Sequence, residues 1–297
     1  MTRGCITGPE ACGSADLGFS AGRVDSHVAR SQKSLEDGGW VWDAAEAYEQ
    51  FMGRWSAAVA QALLDQVPVS RGGRCLDIGC GVGSLSRVVI DRLHPRHLVG
   101  IDPSAAFLGQ AKQVLPSLQP VRADATRLPF AASTFDTVVS GLVLNFIPDA
   151  RSALAEVGRV LRPGGAFMAY VWDYDHPDFF LARLWAGIEA VEGERAAADE
   201  RRRWPVCTAQ GLANVVEGSG LVDVRIMSIM IDTTFPDRQA LWDRFLLGVG
   251  PSGQAVRALD ATARERLRER LDDDLPQAQD GTVRLTARAL TAAAVRS

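Results

Sequence analysis

The feature that most constrains this chain is the run Leu76-Asp-Ile-Gly-Cys-Gly-Val-Gly-Ser84. The residues that lead into it, 74–78, are typical of a buried strand, and residues 84–93 are typical of the helix that such a strand feeds. Three alternate glycines at this junction permit a tight turn and a close approach to a ligand, because no Cβ stands in the way. Asp102 ends the next predicted strand, nineteen residues after Gly83. The pattern predicts a nucleoside-containing ligand at the carboxyl ends of parallel strands, with two ribose hydroxyls on Asp102.

The charge beside the glycines indicates which nucleoside ligand is bound. A dinucleotide site normally has the spacing Gly-x-Gly-x-x-Gly, and a helix N-terminus receives the pyrophosphate. Here the spacing is Gly-x-Gly-x-Gly, and Asp77 stands two residues before Gly79. A carboxylate there repels a pyrophosphate but suits the ammonium and sulfonium groups of S-adenosylmethionine. A P-loop is excluded because no Gly-Lys-Ser/Thr follows the glycines. An ordinary strand-turn-helix with packing glycines is the alternative.

Five segments of the chain carry a resemblance to a known family. They are Leu76–Ser84, Val99–Ser104, Val121–Ala125 with Leu128–Phe130, Phe135–Ser140 and Leu161–Ala166. In this order and spacing they resemble the class I S-adenosylmethionine-dependent methyltransferases, in particular the ubiquinone/menaquinone C-methyltransferase-like enzymes (methyltransferase type 11). Tyr48–Trp55 and Val143–Asp149 resemble a bacterial subgroup more closely, and the likeness extends over roughly residues 44–293.

The resemblance implies which residues bind the cofactor. The Asp124 side chain and the Ala125 backbone N–H are expected to read the adenine edge, although Asp124 could instead cap a turn. Ser140 is expected under the methionine moiety. Arg54 is a candidate partner of the cofactor carboxylate, with a surface ion pair as the alternative. The predicted set is Asp77, Gly79, Cys80, Gly81, Asp102, Pro103, Asp124, Ala125, Ser140, Arg54 and Tyr48.

Candidate residues on the acceptor side are fewer. Methyl transfer from a sulfonium needs alignment and exclusion of water more than a fixed catalytic constellation, and the chain order shows no such constellation. Asn145, after the fourth strand, is a candidate for orienting an acceptor, or for stabilising its own loop. His176, after the fifth strand, is a candidate base near pH 7. Trp185, Trp204 and Trp242 could wall an apolar acceptor pocket, or simply pack helices. We predict no metal.

The alternation of strands and helices predicts an α/β protein with a parallel sheet and right-handed crossovers. The family resemblance implies a Rossmann-like, doubly wound, seven-stranded sheet of order 3-2-1-4-5-7-6 with the last strand antiparallel. Strands are predicted near 74–78, 98–102, 119–122, 135–140, 166–171, 221–231 and 282–290, and helices near 84–93, 104–115 and 151–161.

We expect residues 1–39, rich in Gly, Ser, Ala and Asp, to form a mobile N-terminal arm. Residues 40–297 are expected to form one methyltransferase domain. Helical elements near 44–66, 178–208 and 236–280 are expected to cap it as lid insertions.

Composition limits the partners. The net charge of −4 favours no general attraction to nucleic acid, and the Arg201–Arg203 run is interpreted as a solvated helix face. Five cysteines without paired metal spacing fit a reduced cytoplasm. No segment reaches the ~20 apolar residues of a membrane span.

Together these observations predict a cytoplasmic enzyme that transfers a methyl group to a small organic acceptor, on oxygen, nitrogen or carbon. A non-catalytic S-adenosylmethionine-binding protein, such as a sensor or a degenerate partner subunit, is an alternative. A macromolecule methyltransferase is disfavoured by charge and by the lack of an Asn/Asp-Pro-Pro-Tyr/Phe segment. A nicotinamide-dependent oxidoreductase conflicts with the glycine spacing.

Overall fold

The computed structural model describes residues 52–194 and 196–297. The predicted arm at 1–39 and Tyr48 lie outside the described residues. The helical element predicted near 44–66 falls partly outside them, and its described part is α1, Arg54–Gln66.

Strands and helices alternate through the first part of the described chain, as the hydrophobic pattern predicts. Each predicted strand from 74 to 140 is found within one residue at either end. The elements are β1 (Arg74–Ile78), α2 (Ser84–Leu93), β2 (His97–Asp102), α3 (Ala105–Val114), β3 (Leu118–Arg122), β4 (Phe135–Gly141), α4 (Ala150–Val160) and β5 (Leu161–Trp172).

The second part of the chain is mainly helical until two long strands complete the sheet. Helices occupy the stretches between β5 and the last strand where capping helices were expected. The elements are α5 (Phe180–Glu192), α6 (Glu200–Arg203), α7 (Ala209–Glu217), β6 (Leu221–Phe235), α8 (Arg238–Leu246), α9 (Gly250–Ala258), α10 (Ala261–Asp274) and β7 (Val283–Arg296).

The seven strands form one sheet of order β3-β2-β1-β4-β5-β7-β6. Strands β1 to β5 pair in parallel, and β7 pairs antiparallel with both β5 and β6. The predicted fold class is therefore confirmed. Because all five parallel strands end at the same edge, the loops after β1, β2 and β4 meet there, and this edge holds the site described below.

Three strands are longer than the sequence predicts. β5 begins at Leu161 rather than 166, and its pairing with β4 shifts register between Phe135 and Thr137 around the Arg-Pro-Gly-Gly segment. β6 continues to Phe235 and β7 to Arg296. The end of β7 is rich in alanine, which has low strand propensity, but its residues pair along β5 and are buried. Tertiary pairing therefore extends these strands beyond what the local pattern shows.

Candidate cofactor and acceptor site

The loop between β1 and α2 is an open backbone turn. Gly79, Gly81 and Gly83 have φ angles of +68°, +54° and +98°, a region that favours glycine. The Cys80 N–H donates to the Ile101 carbonyl at 2.9 Å, which ties the loop to the end of β2. A Cβ placed on Gly81 would meet no atom within 4 Å, so this part of the loop is free for a ligand to approach.

Asp102 joins the end of β2 to that loop. Its Oδ2 accepts a hydrogen bond from the Gly81 N–H at 3.1 Å, and its Oδ1 accepts one from the Ser104 N–H at 2.8 Å. Burial raises the pKa of the Asp102 carboxyl to about 6, although both backbone donors favour the charged form. Each carboxylate oxygen can accept a second hydrogen bond, which suits a pair of ribose hydroxyls.

Asp77 is a fully buried carboxyl at the end of β1. Its Oδ2 accepts a hydrogen bond from the Ser86 hydroxyl at 2.6 Å, while Oδ1 has no hydrogen-bond partner among the described residues. Burial raises the pKa of Asp77 to about 7, and the charge of Asp102 acts in the same direction. A cation near the unpaired oxygen would stabilise the ionised form, as the ammonium and sulfonium of S-adenosylmethionine would do.

A cavity of about 320 Å³ opens beside Asp102; Asp77 and Gly81 are not among the residues that line it. We call it the cofactor cavity. Its size falls within the range of small-molecule sites, about 300–1,000 Å³. Five of the predicted cofactor-binding residues line it, namely Gly79, Asp102, Pro103, Asp124 and Ala125. The opposite wall is the segment after β4, which includes Val143 and Phe146.

Asp124 both shapes a turn and faces this cavity. Its Oδ1 accepts hydrogen bonds from the Thr126 N–H at 2.9 Å and from the Thr126 hydroxyl at 2.8 Å. Both bonds end on the same oxygen, so within the described chain Oδ2 is left for a ligand. Turn capping and adenine recognition, which the sequence presents as alternatives, are therefore compatible in one side chain.

The remaining predicted cofactor residues lie behind the cavity or away from it. Ser140 is buried and donates to the Ile78 carbonyl at 3.1 Å, and the side chain of Cys80, between Gly79 and Gly81, is buried. Arg54 donates to the Thr234 carbonyl at 3.3 Å, and its guanidinium lies 4.2 Å from the Trp55 ring centroid. Arg54 thus contacts the end of β6 rather than the lining of the cofactor cavity.

The two predicted acceptor-side residues lie in different places. Asn145 belongs to the 3₁₀ turn Leu144–Phe146 and lines a second cavity of about 510 Å³, the outer cavity, together with Trp204. Its Nδ2 is buried without a hydrogen-bond partner in the described chain. His176 lies in the turn after β5, with a buried and unpartnered Nδ1, and is not among the residues that line these cavities.

The sequence does not single out a third, smaller cavity of about 30 Å³, the inner cavity. It lies between the segment after β4, the end of β5, α6 and the start of α9. Apart from its aromatic residues, the polar side chains that line it are Glu200 and Ser252. The sequence predicts a solvated helix face for Arg201–Arg203, yet the preceding Asp199 and Glu200 are buried, and Arg201 pairs with Asp199. The sequence does not indicate this burial, because two acidic residues next to three arginines are typical of an exposed helix face.

Within residues 52–194 and 196–297, no helix is long and apolar enough to cross a membrane. The same residues contain no group of three or more His, Cys, Asp or Glu side chains placed to hold a metal ion. Cys75, Cys80 and Cys207 are buried free thiols.

Comparison with known proteins agrees with this geometry. A protein-family model described as a methyltransferase domain matches residues 76–169. A trans-aconitate 2-methyltransferase of Azoarcus is 33% identical over 161 residues, 53% of this chain and 62% of that protein. A ubiquinone/menaquinone biosynthesis C-methyltransferase of Desulfotalea psychrophila is 31% identical over 180 residues, 54% of this chain and 70% of that protein. The chain spans less than two thirds of the first relatives that it matches.

A solved structure shows the same fold. Phosphoethanolamine N-methyltransferase 2 of Haemonchus contortus, in complex with phosphomonomethylethanolamine and S-adenosylhomocysteine, aligns with a TM-score of 0.54 at 18% identity. The alignment covers 90% of this chain and 60% of that one.

The sheet order and the glycine loop define a Rossmann-like protein that binds a nucleoside cofactor. The chain belongs to the class I S-adenosylmethionine-dependent methyltransferase family. Family membership confirms the predicted cofactor, S-adenosylmethionine.

Proposed function

We propose that this protein transfers the methyl group of S-adenosylmethionine to a small organic acceptor by in-line displacement, yielding S-adenosylhomocysteine. The observation that carries the proposal is that Asp102 and Gly79 line the cofactor cavity, while the buried Asp77, with one unpaired oxygen, precedes the same glycine loop at the end of β1. One carboxylate suits the ribose and the other suits the cationic end of the cofactor, as the charge argument from the sequence requires.

Different residues would bind the ribose, the adenine and the methionine end of the cofactor. Asp102, followed by Pro103, would hold the ribose, and Asp124 with the Ala125 N–H would bind the adenine. The glycine backbone and Asp77 would face the methionine end. Ser140 would support the site without lining the cavity, because its hydroxyl donates a hydrogen bond to the Ile78 carbonyl and so joins the end of β4 to β1.

The cofactor supplies a methyl group on a positively charged sulfur, which is already a good leaving group. The protein therefore has to bind, align and exclude water. The segment after β4 forms one wall of the cofactor cavity, and Phe146 on that segment also borders the outer and inner cavities. An acceptor in either of these cavities would approach from the Phe146 side.

Two observations support a small acceptor. The named relatives are enzymes for trans-aconitate and for ubiquinone/menaquinone biosynthesis, and the net charge of −4 gives no general attraction to nucleic acid. Asn145, on the wall of the outer cavity, is the candidate that would orient an acceptor. His176 stays a candidate base only if an acceptor extends to the turn after β5.

The test is formation of S-adenosylhomocysteine from S-adenosylmethionine when purified protein meets pooled small acceptors, with total RNA and a protein extract as parallel pools. Turnover with the small-molecule pools alone is the expected result. Turnover confined to RNA or protein would contradict the small-acceptor proposal. Tight cofactor binding with no turnover in every pool would favour a non-catalytic binding protein.

A further inference from the structure

The inner cavity contains polar groups that the fold leaves without partners. The Ser252 hydroxyl and the Trp172 indole Nε1 are buried and have no hydrogen-bond partner among the described residues. An unmet buried hydrogen bond costs about 1–3 kcal/mol. Both residues line the same cavity of about 30 Å³, which has room for one hydroxyl group or one water molecule.

Glu200 lines this cavity beside those two groups. Its side chain is buried, and its Oε2 accepts a hydrogen bond from the Trp185 indole. Burial raises the pKa of Glu200 to about 8, although the Ser252 backbone N–H and the Trp185 indole favour the ionised form. A carboxyl with such a pKa exchanges a proton readily near neutral pH.

The titratable groups around Glu200 are few. Asp199 precedes it and raises the Glu200 pKa, but Asp199 is itself paired with Arg201. The Cys207 thiol has its own pKa raised by burial and by the charges of Asp173 and Glu200, so it stays protonated. Glu200 is therefore the group in this cluster that can change charge between pH 7 and 9.

The inner cavity has aromatic walls, and some of these residues also line the other two cavities. Phe146 and Trp204 meet edge to face at 4.9 Å between ring centroids, and Trp204 also contacts Tyr174 at 5.4 Å. Phe146 and Trp204 line the outer cavity as well, and Phe146 lines the cofactor cavity. A planar ring in the outer cavity would thus lie against aromatic walls while its polar group enters the inner cavity.

We infer that the inner cavity receives the reacting hydroxyl of a planar aromatic acceptor, and that Glu200 is the base that takes the proton of this hydroxyl. The inference rests on the proposed methyl transfer and names its acceptor class. The Ser252 hydroxyl and the Trp172 N–H supply the remaining hydrogen bonds to the acceptor oxygen. The aromatic ring is held by Phe146 and Trp204.

The step balances with the proposed cofactor as methyl donor. A bond forms between the acceptor oxygen and the methyl carbon, the bond from that carbon to sulfur breaks, and its electron pair stays on sulfur. The hydroxyl proton passes to the ionised Glu200 carboxylate, which later releases it to solvent. An aromatic hydroxyl ionises near pH 10, so a base of raised pKa is well matched to it.

Binding of a probe tests the cavity directly. Calorimetric titration of 2-naphthol into protein saturated with S-adenosylhomocysteine should show one saturable site. Ser252→Ala and Trp172→Phe each remove one unpartnered group, so affinity should fall about three- to tenfold, as expected for one lost hydrogen bond. The melting temperature should not fall for Ser252→Ala, because the removed hydroxyl has no hydrogen-bond partner in the described chain, whereas Trp172→Phe should lower it by the cost of the smaller buried ring.

Ser117→Ala is the matched control, because Ser117 is exposed and far from β5 in the fold. If wild-type protein shows no saturable site, or the two cavity variants bind 2-naphthol as the control does, the inference is overturned and the cavity holds only water. The acceptor-pool assay separates this failure from failure of the proposed function: if only this inference fails, another small acceptor still yields S-adenosylhomocysteine, whereas failure of the proposed function leaves every small-molecule pool without turnover.

Glu200→Gln tests the base, because glutamine keeps an oxygen for the Trp185 indole and leaves the packing intact. Methyl transfer to 2-naphthol should fall by about 10² to 10⁴ in kcat while probe affinity changes little. The wild-type rate should rise with pH and reach a plateau above about 8, the pKa of Glu200. This rise should be missing from the pH profile of the variant. Equal turnover by the variant, or no turnover by wild-type protein with 2-naphthol bound, would overturn the role of Glu200.

Discussion

At the scale of single residues, the site depends on two buried carboxyls at the ends of adjacent strands. Asp77 on β1 and Asp102 on β2 have raised pKa values, and both lie next to the glycine loop. Neither is neutralised by a basic side chain in the hydrogen bonds described above. Their charge is therefore available to a cationic nucleoside ligand.

The first prediction concerns Asp102. Asp102→Ala removes an acceptor of two ribose hydrogen bonds and also loosens the loop that it holds through Gly81. S-adenosylhomocysteine affinity should fall by more than about tenfold, or ~1.4 kcal/mol. Isothermal calorimetry measures this, with Asp91→Ala, an exposed position on α2, as control. Equal affinity of the two variants would refute the ribose role.

A second prediction concerns the protonation of Asp77. Its pKa of about 7 means that the free protein holds a proton on this carboxyl at pH 6 and releases it by pH 8. Because a cation binds the ionised form, the Kd for S-adenosylmethionine should decrease as pH rises from 6 to 8 and then level off. Asp77→Asn should bind more weakly and lose this change above pH 7. A wild-type Kd that is constant across the range would contradict the assignment.

Residue positions were predictable where spacing along the chain fixes them. Asp102 ends one predicted strand and Asp124 follows the next, and parallel strands place such side chains at one edge. Glu200 was missed because its burial depends on α5 and α9, far away in sequence, and nothing beside it marks a buried carboxyl. His176 and Asn145 were placed on the correct edge by the same reasoning, but the turns that orient them are set by tertiary contacts.

At the scale of elements, the junction of β1 and α2 is the most constrained turn. A Cβ on Gly79 would lie 2.4 Å from Val143 Cγ2, whereas one on Gly81 would meet open space. Both glycines have positive φ, so alanine is strained at either position. The two positions therefore separate steric support of the loop from access of the ligand.

The third prediction uses this pair. Gly79→Ala should lower the melting temperature for two reasons: Val143 has to move, and the backbone is strained at positive φ. Gly81→Ala should cost only the backbone strain, about 1 kcal/mol, but should weaken S-adenosylhomocysteine binding more than about tenfold. Gly72→Ala, with a φ of +75° and open space around it, is the strain-only control. Cofactor binding by Gly81→Ala at the level of this control would contradict the placement of the ligand against the loop.

Strands β1 to β4 were predicted to within one residue because each is a short segment bounded by glycine, proline or polar residues. The C-terminal pair was less predictable. Residues 291–294 of β7 are Thr-Ala-Ala-Ala, which have no marked strand pattern, yet they pair with Phe167 to Tyr170 of β5 on one side. Pairing partners that are distant in sequence decide the length of these strands, and the local sequence does not.

At the scale of the whole molecule, buried acids couple stability to pH. The pKa of Glu200 is about 8 in the folded protein and near 4.5 when exposed, so the folded state binds the extra proton between these values. The free energy of unfolding should therefore fall as pH rises from about 4.5 to 8, by up to about 1.4 kcal/mol per pH unit for this proton. The stabilisation is fully present below the lower pKa.

The fourth prediction follows from that sign. Urea unfolding at several pH values between 5 and 9 should show a shallower decline of stability for Glu200→Gln than for wild-type protein, because glutamine does not ionise. Other groups, Asp77 among them, contribute equally to both proteins, so the difference between the two slopes isolates Glu200. Parallel slopes would show that Glu200 is not held in its neutral form by burial.

The measurement that tests the cofactor assignment most directly is a thermal-shift comparison of the purified protein with S-adenosylmethionine, S-adenosylhomocysteine and NAD(H), each in excess. A ligand that binds the folded state raises the apparent stability by an amount set by its concentration over Kd. We predict a shift with both sulfur nucleosides and none with NAD(H). No shift with either sulfur nucleoside, followed by no heat of binding in calorimetry, would contradict the cofactor site at Asp77, Gly81 and Asp102.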